Sequence, residues 1–397
     1  MQHLRGLDGI RGIALIMVLL IHGRAWFMEG GFFAVDVFFV LSGFLITYLL
    51  LREYLKTGSI SLINFWIRRG LRLFPALGAV LVFILIFSRI RFDDETFGRV
   101  VTDVIDTVTY RINWRMAGEG QPPLGMLSHG WSLAVEMQFY IVWPLIVILL
   151  LAFTKRIAGT RGPEYAVGFI TVVALTLSVV GMLVRTGEAL AGFDWWRTYY
   201  GTDCRVDALL MGCALAGLFS LGRLGRWPRW GGLLGGGVIV ALVVVGDLGD
   251  QWVPLWGSSL VTVSAALLII DLINRGPTTP VLSLAPLVFL GQVSYGAYLW
   301  HWPVYAAINE SWLPLPTYLL LAIRIAVTLV IATISYHVIE LPALRLKSRF
   351  TTVTIPARTT LEDVSEPPSP PDISTATTSP VKGIATGDVA AGEKPGT

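Results

Sequence analysis

Residues 5–27 read RGLDGIRGIALIMVLLIHGRAWF. The apolar run from Ile13 to Ile21 has the composition of a helix entering a bilayer, yet Arg11 precedes it and His22 closes it. The two lie eleven positions apart, about three helical turns, so they share a face at a rise separation of about 16 Å, roughly half a hydrocarbon core. Ionisable groups inside a membrane are costly, and a functional site is the first hypothesis for them. The stretch predicts a membrane helix with a guanidinium and an imidazole in one line.

The rest of the chain agrees with the class. Hydrophobic residues make up 54% of the 397 residues and charged residues 14%, and the mean hydropathy is +0.67, values far from those of a soluble domain. Apolar stretches recur at about 10–27, 33–51, 74–90, 131–153, 165–184, 205–221, 233–249, 256–274, 286–307 and 316–338. The expected fold is all-α, a polytopic membrane protein of about ten transmembrane helices. Basic residues alternate between connections: Arg52, Lys56, Arg68, Arg69, Arg72, Lys155, Arg156, Arg161, Arg223, Arg226, Arg229 and Arg275 fall on one side, while 250–255 and 308–315 carry no Lys or Arg. The positive-inside bias then predicts both termini in the cytoplasm. A net charge of +3 is explained by these loops and gives no case for nucleic acid.

The first segment is expected to be retained, because no A-x-A cleavage pattern follows His22. Cys204 and Cys213, nine residues apart on one helix, are too distant for a disulfide, and the scattered histidines show no metal-ligand spacing. Residues 351–397, rich in Thr, Ser, Pro and Gly, are expected to form a disordered cytoplasmic tail beside a 1–350 transmembrane domain.

Polar residues interrupt the apolar spans in five places. Besides Arg11 and His22, Asp36 stands within GGFFAVDVFFVLSGFLIT (30–47). In SHGWSLAVEMQFYIVWP (128–144), His129, Ser132, Glu136 and Tyr140 recur at three- and four-residue steps along one face. Asp203, Arg205 and Asp207 occupy DCRVDALLMG (203–212), and Ser294, Tyr298 and His301 share a face in VSYGAYLWHWPV (293–304). In LINFWIRRGLRLFPA (62–76), Arg68, Arg69 and Arg72 fall at helical spacing, with Pro75 expected in the first turn of the third span. These arginines can grip phosphates bidentately, or they reflect inner-loop bias and bind lipid headgroups. Arg324, in mid-span, requires a carboxylate partner or a polar cavity.

The order of LDGIRG, FFAVDVFFVLSGFLIT, FWIRRGLRLFPA, HGWSLAVEMQFYIVWP, RVDALLMG, SYGAYLWHWPV and a closing IELP resembles the bacterial integral-membrane acyltransferase family 3, the surface-glycan O-acylating enzymes, over residues 3–345. The resemblance implies a multi-pass protein of the bacterial plasma membrane. It implies transfer of an acyl group, acetyl or another short one, from cytoplasmic acyl-CoA to a hydroxyl of an extracytoplasmic glycan, glycolipid or related acceptor. Acyl-CoA is then a donor substrate, and no permanently bound cofactor or metal is expected. In the family, the Arg11–His22 pair is associated with acyl-group handling and Arg69-x-x-Arg72 with the CoA donor. Some members carry a C-terminal SGNH hydrolase-like domain. It is not expected here, so the acceptor would bind to outer loops or to a separate extracytoplasmic partner.

On these grounds His22, Glu136 and Asp36 are the candidate catalytic residues. His22 acts as a general base or as a covalent acyl carrier, with Asp36 or Glu136 orienting it. Asp36 has a second reading as a folding residue paired with Arg205 or Arg324. The candidate substrate-binding residues are Arg11, Arg68, Arg69, Arg72, His129, Ser132, Arg205, Asp207, Tyr298 and His301. A transporter or lipid flippase is the competing class, disfavoured by the lack of repeated halves.

Overall fold

The computed structural model describes residues 5–119, 125–157, 162–226 and 230–350, and its regular elements are all helical. The expected tail lies outside the described residues, as do Arg161 and Arg229. Each of the ten apolar stretches is occupied by a helix: α1 (Arg5–His22), α2 (Ala34–Thr57), α3 (Leu62–Arg91), α6 (Gly130–Ile157), α7 (Pro163–Leu190), α9 (Thr202–Ser220), α10 (Gly231–Val245), α11 (Ser258–Ile273), α13 (Ala285–Ala307) and α14 (Thr317–Ser335). Shorter helices α4 (Asp94–Val108), α5 (Ile112–Glu119), α8 (Trp195–Tyr200), α12 (Thr279–Leu282) and α15 (Leu341–Leu346) fill the connections.

Six helical stretches are long and apolar enough to cross a membrane: Glu29–Thr57, Leu62–Arg91, Gly130–Ile157, Pro163–Leu190, Val253–Ile273 and Thr317–Leu346. The other four depart from that standard for visible reasons. Helix α1 carries Arg5, Asp8 and Arg11, and α9 carries Asp203, Arg205 and Asp207. Helix α10 has 15 residues, and α13 is diluted by Gln292, Ser294 and His301. Apolar side chains such as Ile86, Leu149, Leu183 and Val244 are exposed, which is stable where lipid is the neighbour.

Glycines in the sequence blocks bring helices into backbone contact. Parallel helices α2 and α9 meet at Gly43, where a Cβ would stand 1.8 Å from the Leu209 carbonyl oxygen. Helices α1 and α13 also run parallel, and a Cβ on Gly291 would stand 1.9 Å from the carbonyl oxygen of Asp8. This second crossing holds the His22 end of α1 beside the His301 end of α13.

One expectation is corrected. Pro75 does not open the third span: α3 runs unbroken from Leu62 to Arg91 with Pro75 inside it. Proline removes one N–H from the helix ladder, and a bilayer supplies no water to replace it. Beside Pro75 the Tyr295 hydroxyl donates to the Leu73 carbonyl at 2.8 Å, which ties α13 to α3 near the break without covering the Leu71 carbonyl that the proline frees. At Pro144 the repair is direct: the freed acceptor is the carbonyl four residues back, Tyr140, and the Trp66 indole donates to it at 3.1 Å. The arginine-bearing segment is therefore the first third of a membrane helix and not a separate interfacial piece.

The connection between α3 and α6 is built. Asp93 caps α4 by accepting from the Thr96 N–H at 2.7 Å. Arg115 of α5 pairs with Asp106 at 2.9 Å and with Asp103. Asn113 then donates to the Tyr200 carbonyl at 3.1 Å and to the Thr202 hydroxyl at 3.0 Å, tying this cap to the end of α8 and the start of α9.

Candidate active site

The polar residues separate into four groups. The first is a cluster of imidazoles at the joint ends of α1 and α13. His22 Nδ1 and His301 Nε2 are 3.1 Å apart, and His301 Nδ1 is 2.6 Å from the Tyr298 carbonyl oxygen. A carbonyl can only accept, so His301 carries its proton on Nδ1. Its Nε2 is then an acceptor, His22 donates from Nδ1, and the Nε2 lone pair of His22 remains available. This assignment follows from the hydrogen-bond network. The chain carbonyl–His301–His22 has the logic of a base oriented by a second group, with an imidazole where a carboxylate is the commoner choice.

His129, in the turn before α6, packs its ring centroid 5.2 Å from that of His301. Neither of its buried ring nitrogens makes a hydrogen bond of good geometry. Trp302 covers the pair edge-on, 4.5 Å from the His22 centroid, and its indole donates to the Gly125 carbonyl at 2.9 Å. The three histidines do not converge on one point as metal ligands would; among the described residues the group with that spacing is Glu188, Asp203 and Cys204, whose two carboxylates already pair with Arg197.

The second group lines a cavity of about 80 Å³ between α1, α2, α6 and α13, walled by Arg11, Ser42, Ser132, Glu136 and Tyr298. Glu136 accepts from the Ser42 and Tyr140 hydroxyls, and Arg11 feels the attraction of Glu136 and Asp8 and the repulsion of Arg72. Ser132 lies 2.5 Å from the Tyr298 hydroxyl, which donates to the His129 carbonyl at 2.8 Å. Tyr298 thus forms the wall between this cavity and the imidazoles, its ring 5.5 Å from His301. Glu136 bonds to Ser42 and Tyr140, whereas His22 bonds to His301 and to the backbone of Val18. The four-residue steps from Ser132 to Tyr140 do share a face, but that face looks on Arg11.

The third group lies at the opposite end of α1. Arg68 is committed, pairing with Glu53 at 2.9 Å and donating to the Phe350 carbonyl at 2.7 Å. Arg69 and Arg72 lie in the same positive field, Arg69 with its guanidinium 5.9 Å over the Phe65 ring. Burial, then repulsion from Arg69, Arg72 and Arg68, pushes the Lys347 amine down to about 8. Glu340 reaches this region from a π-helical turn, Tyr336–Glu340, and feels Arg72 and Arg11. A Cβ on Gly296 would stand 2.7 Å from its Oε1, so α13 leaves room for it.

The fourth group is framework. Arg205 pairs with Asp36 at 2.9 Å, both side chains 1% exposed, and donates to Ser258 at 3.1 Å. Asp207 pairs with Arg185 of α7 at 2.8 Å, also fully buried. Of the two readings of Asp36, the geometry matches pairing with Arg205, and its carboxylate is spent there and not on His22. Arg205 and Asp207 likewise face partners within the bundle, away from the walls of the cavity. Arg324 instead donates from Nε to the Ile308 carbonyl at 2.7 Å.

Several residues of these groups escape a reading of the sequence. Arg185 has a signal, a cation at the end of the apolar run LSVVGMLVR. Ser42 and Glu340 sit inside the LSGF and IELP blocks without standing out. Trp302 reads as one more tryptophan near a helix end.

Comparison with known proteins fits this arrangement. A family model described as an acyltransferase domain matches residues 4–337. O-acetyltransferase OatA of Staphylococcus aureus strain NCTC 8325 is 34% identical over 368 residues, covering 86% of this chain and 57% of that protein. A putative O-acetyltransferase of strain COL, SACOL0978, is 33% identical over 360 residues with the same coverage. The chain thus spans little more than half the length of these relatives. No solved structure gives a significant match. The matched model covers the helices that carry the imidazole cluster, the Arg11 cavity and the arginine end of α3, and the chain belongs to the acyltransferase 3 family of membrane proteins.

Proposed function

We propose that the protein is a membrane O-acyltransferase of the bacterial plasma membrane, about ten spans with both termini cytoplasmic. It moves a short acyl group from cytoplasmic acyl-CoA to a hydroxyl of an extracytoplasmic glycan or glycolipid. One observation carries the reading: a polar line runs from Arg69, Arg72 and Lys347, past Arg11 and its cavity, to His22, which opens on a pocket at the other end of the bundle.

CoA phosphates suit the arginine end, where guanidiniums bind phosphate oxygens in pairs. The pantetheine arm would then follow α1, placing the thioester near Arg11 and Tyr298, in a cavity sized for a short acyl group. The acceptor hydroxyl approaches from the outer pocket. His22 Nε2 takes its proton while the oxygen attacks the thioester carbonyl; the carbon–sulfur bond breaks, and the proton passes to the departing CoA thiolate. His301 stabilises the transient imidazolium of His22 by accepting its Nδ1 proton in a hydrogen bond. Tyr298 stands between the cavity and the imidazoles, so the attack requires its side chain to turn aside, and its closed position limits loss of the acyl group to water.

The test is direct. Purified protein in lipid nanodiscs, given acetyl-CoA and an envelope glycan fraction, should release CoA and leave ester-linked acetyl on the glycan. A transporter would leave the thioester intact, and that result would end the proposal.

The donor end makes its own prediction. Arg69→Ala with Arg72→Ala should raise the apparent KM for acetyl-CoA on the order of tenfold or more, as expected for lost charged hydrogen bonds. Lysine at both positions should restore part of it, because ammonium keeps the charge and loses the fork. Lys347 is charged at pH 7 and loses its proton near 8, so the same KM should climb between pH 7 and 9. In Lys347→Met that climb should flatten. A KM unmoved by the arginine substitutions would return Arg69 and Arg72 to topology alone.

A further inference from the structure

Arg324 is a mid-helix cation that the proposed reaction does not use. It stands on the wall of the outer pocket, a space of about 490 Å³ that has His22 on another wall. Its Nε caps the end of α13 through the Ile308 carbonyl, and its guanidinium lies 5.5 Å over the Tyr305 ring. Those contacts fix the plane of the guanidinium and leave its terminal nitrogens for another acceptor.

Arg24 lines the same pocket and is exposed. It follows the end of α1 with a φ of 57°. That left-handed position is where glycine or asparagine is the easy choice, and a bulky residue there is uncommon. A residue held in a rarely populated conformation beside a site is a pointer to function. Among the described residues neither arginine makes an ion pair. The acidic residue on the pocket wall is Glu310, so two guanidiniums face one carboxylate, and Arg24 and Arg324 repel each other. Trp302 supplies apolar ring surface between them and His22, and Asn309 adds a neutral polar group. Flat aromatic surface beside polar groups suits a pyranose, and two guanidiniums against one carboxylate leave a net positive charge that suits an anion.

We propose that Arg324 and Arg24 form an anion subsite in the outer pocket, so that the acceptor presenting its hydroxyl to His22 is a sugar unit bearing a carboxylate or a phosphate. The inference rests on the acyl-transfer reading above and names the chemical class of its acceptor.

The experiment compares three small acceptors on the full chain in nanodiscs with acetyl-CoA: methyl glucoside, methyl glucuronide and methyl glucoside 6-phosphate. At equal, sub-saturating concentration, CoA release should be about tenfold faster or more with an acidic glycoside than with the neutral one, the scale of a charged hydrogen-bonded contact. The faster acid identifies carboxylate or phosphate as the natural charge. The ratio of acidic to neutral rates should fall toward one in Arg324→Gln, stay intermediate in Arg324→Lys, and shrink with added salt. Equal rates in the wild type overturn the subsite and leave the transfer reading standing. If no glycoside speeds CoA release, that reading fails for small sugars, and binding decides the subsite. Saturation-transfer NMR on the same protein should then show methyl glucuronide contacts that methyl glucoside lacks and that Arg324→Gln abolishes. Equal signals from the two glycosides overturn the proposal.

Discussion

His22→Ala should lower acyl transfer by about 10²–10⁴ while the protein still inserts and binds acyl-CoA, because loss of a general base costs that much and the donor contacts lie elsewhere on α1. The geometry sharpens this into a comparison at a second residue. His301 holds the proton of His22 on Nδ1 by offering an acceptor 3.1 Å away. His301→Leu removes that acceptor and should cost about 10–100-fold, the usual price of losing the group that orients a functional imidazole. His301→Gln can present an amide oxygen at a similar reach and should recover part of the loss. A merely structural role for His301 would make both variants equal in rate and different only in yield, so turnover per folded molecule is the quantity to measure. If His22 is instead the carrier of the acyl group, intact-protein mass spectrometry after a rapid quench should show an adduct missing from His22→Ala. Wild-type transfer by well-folded His22→Ala would remove the base altogether.

How far the sequence foretold this site depends on the type of contact. The helices were legible because their apolar stretches are long, and Arg11 with His22 because two ionisable groups in one apolar segment are conspicuous. Periodicity also placed Ser132, Glu136 and Tyr140 on one face of α6, which the structure matches. What periodicity cannot do is say which neighbour a face meets. Similar expected depth pairs Glu136 with His22, yet α2 and α1 put Ser42 and Arg11 in front of it. His301 entered as a binding residue and not as the partner of His22, since that pairing depends on α1 and α13 running in parallel across 279 residues of sequence. The Pro75 error has a different origin. Proline is a reliable helix punctuator in water, but within a bilayer α3 runs on through Pro75 and α6 through Pro144, where the Trp66 indole covers the freed Tyr140 carbonyl, a donor that sequence around the proline does not reveal.

The buried pairs of α9 lead to the other large effect, on stability. Asp36 and Arg205 are each 1% exposed, and Arg205 is held further by Ser258 and by the Tyr199 ring 5.0 Å below its guanidinium. Removing one partner of such a pair strands a charge where neither water nor lipid solvates it, and costs about 3–5 kcal/mol. Arg205→Met should therefore lower the thermal midpoint of the detergent-solubilised protein by about 4–7 °C, read as loss of the monodisperse peak after heating. The stranded Asp36 would also face Asp207, which already repels it, with Arg185 the remaining nearby cation. Asp36→Asn added to Arg205→Met removes the lone charge and should restore much of the midpoint, since neutral groups of similar volume replace a buried pair with little loss. Turnover per folded molecule should return with it. That last measurement separates the two readings of Asp36: a carboxylate needed to orient His22 would leave the double variant stable and inactive, whereas a framework carboxylate leaves it stable and active.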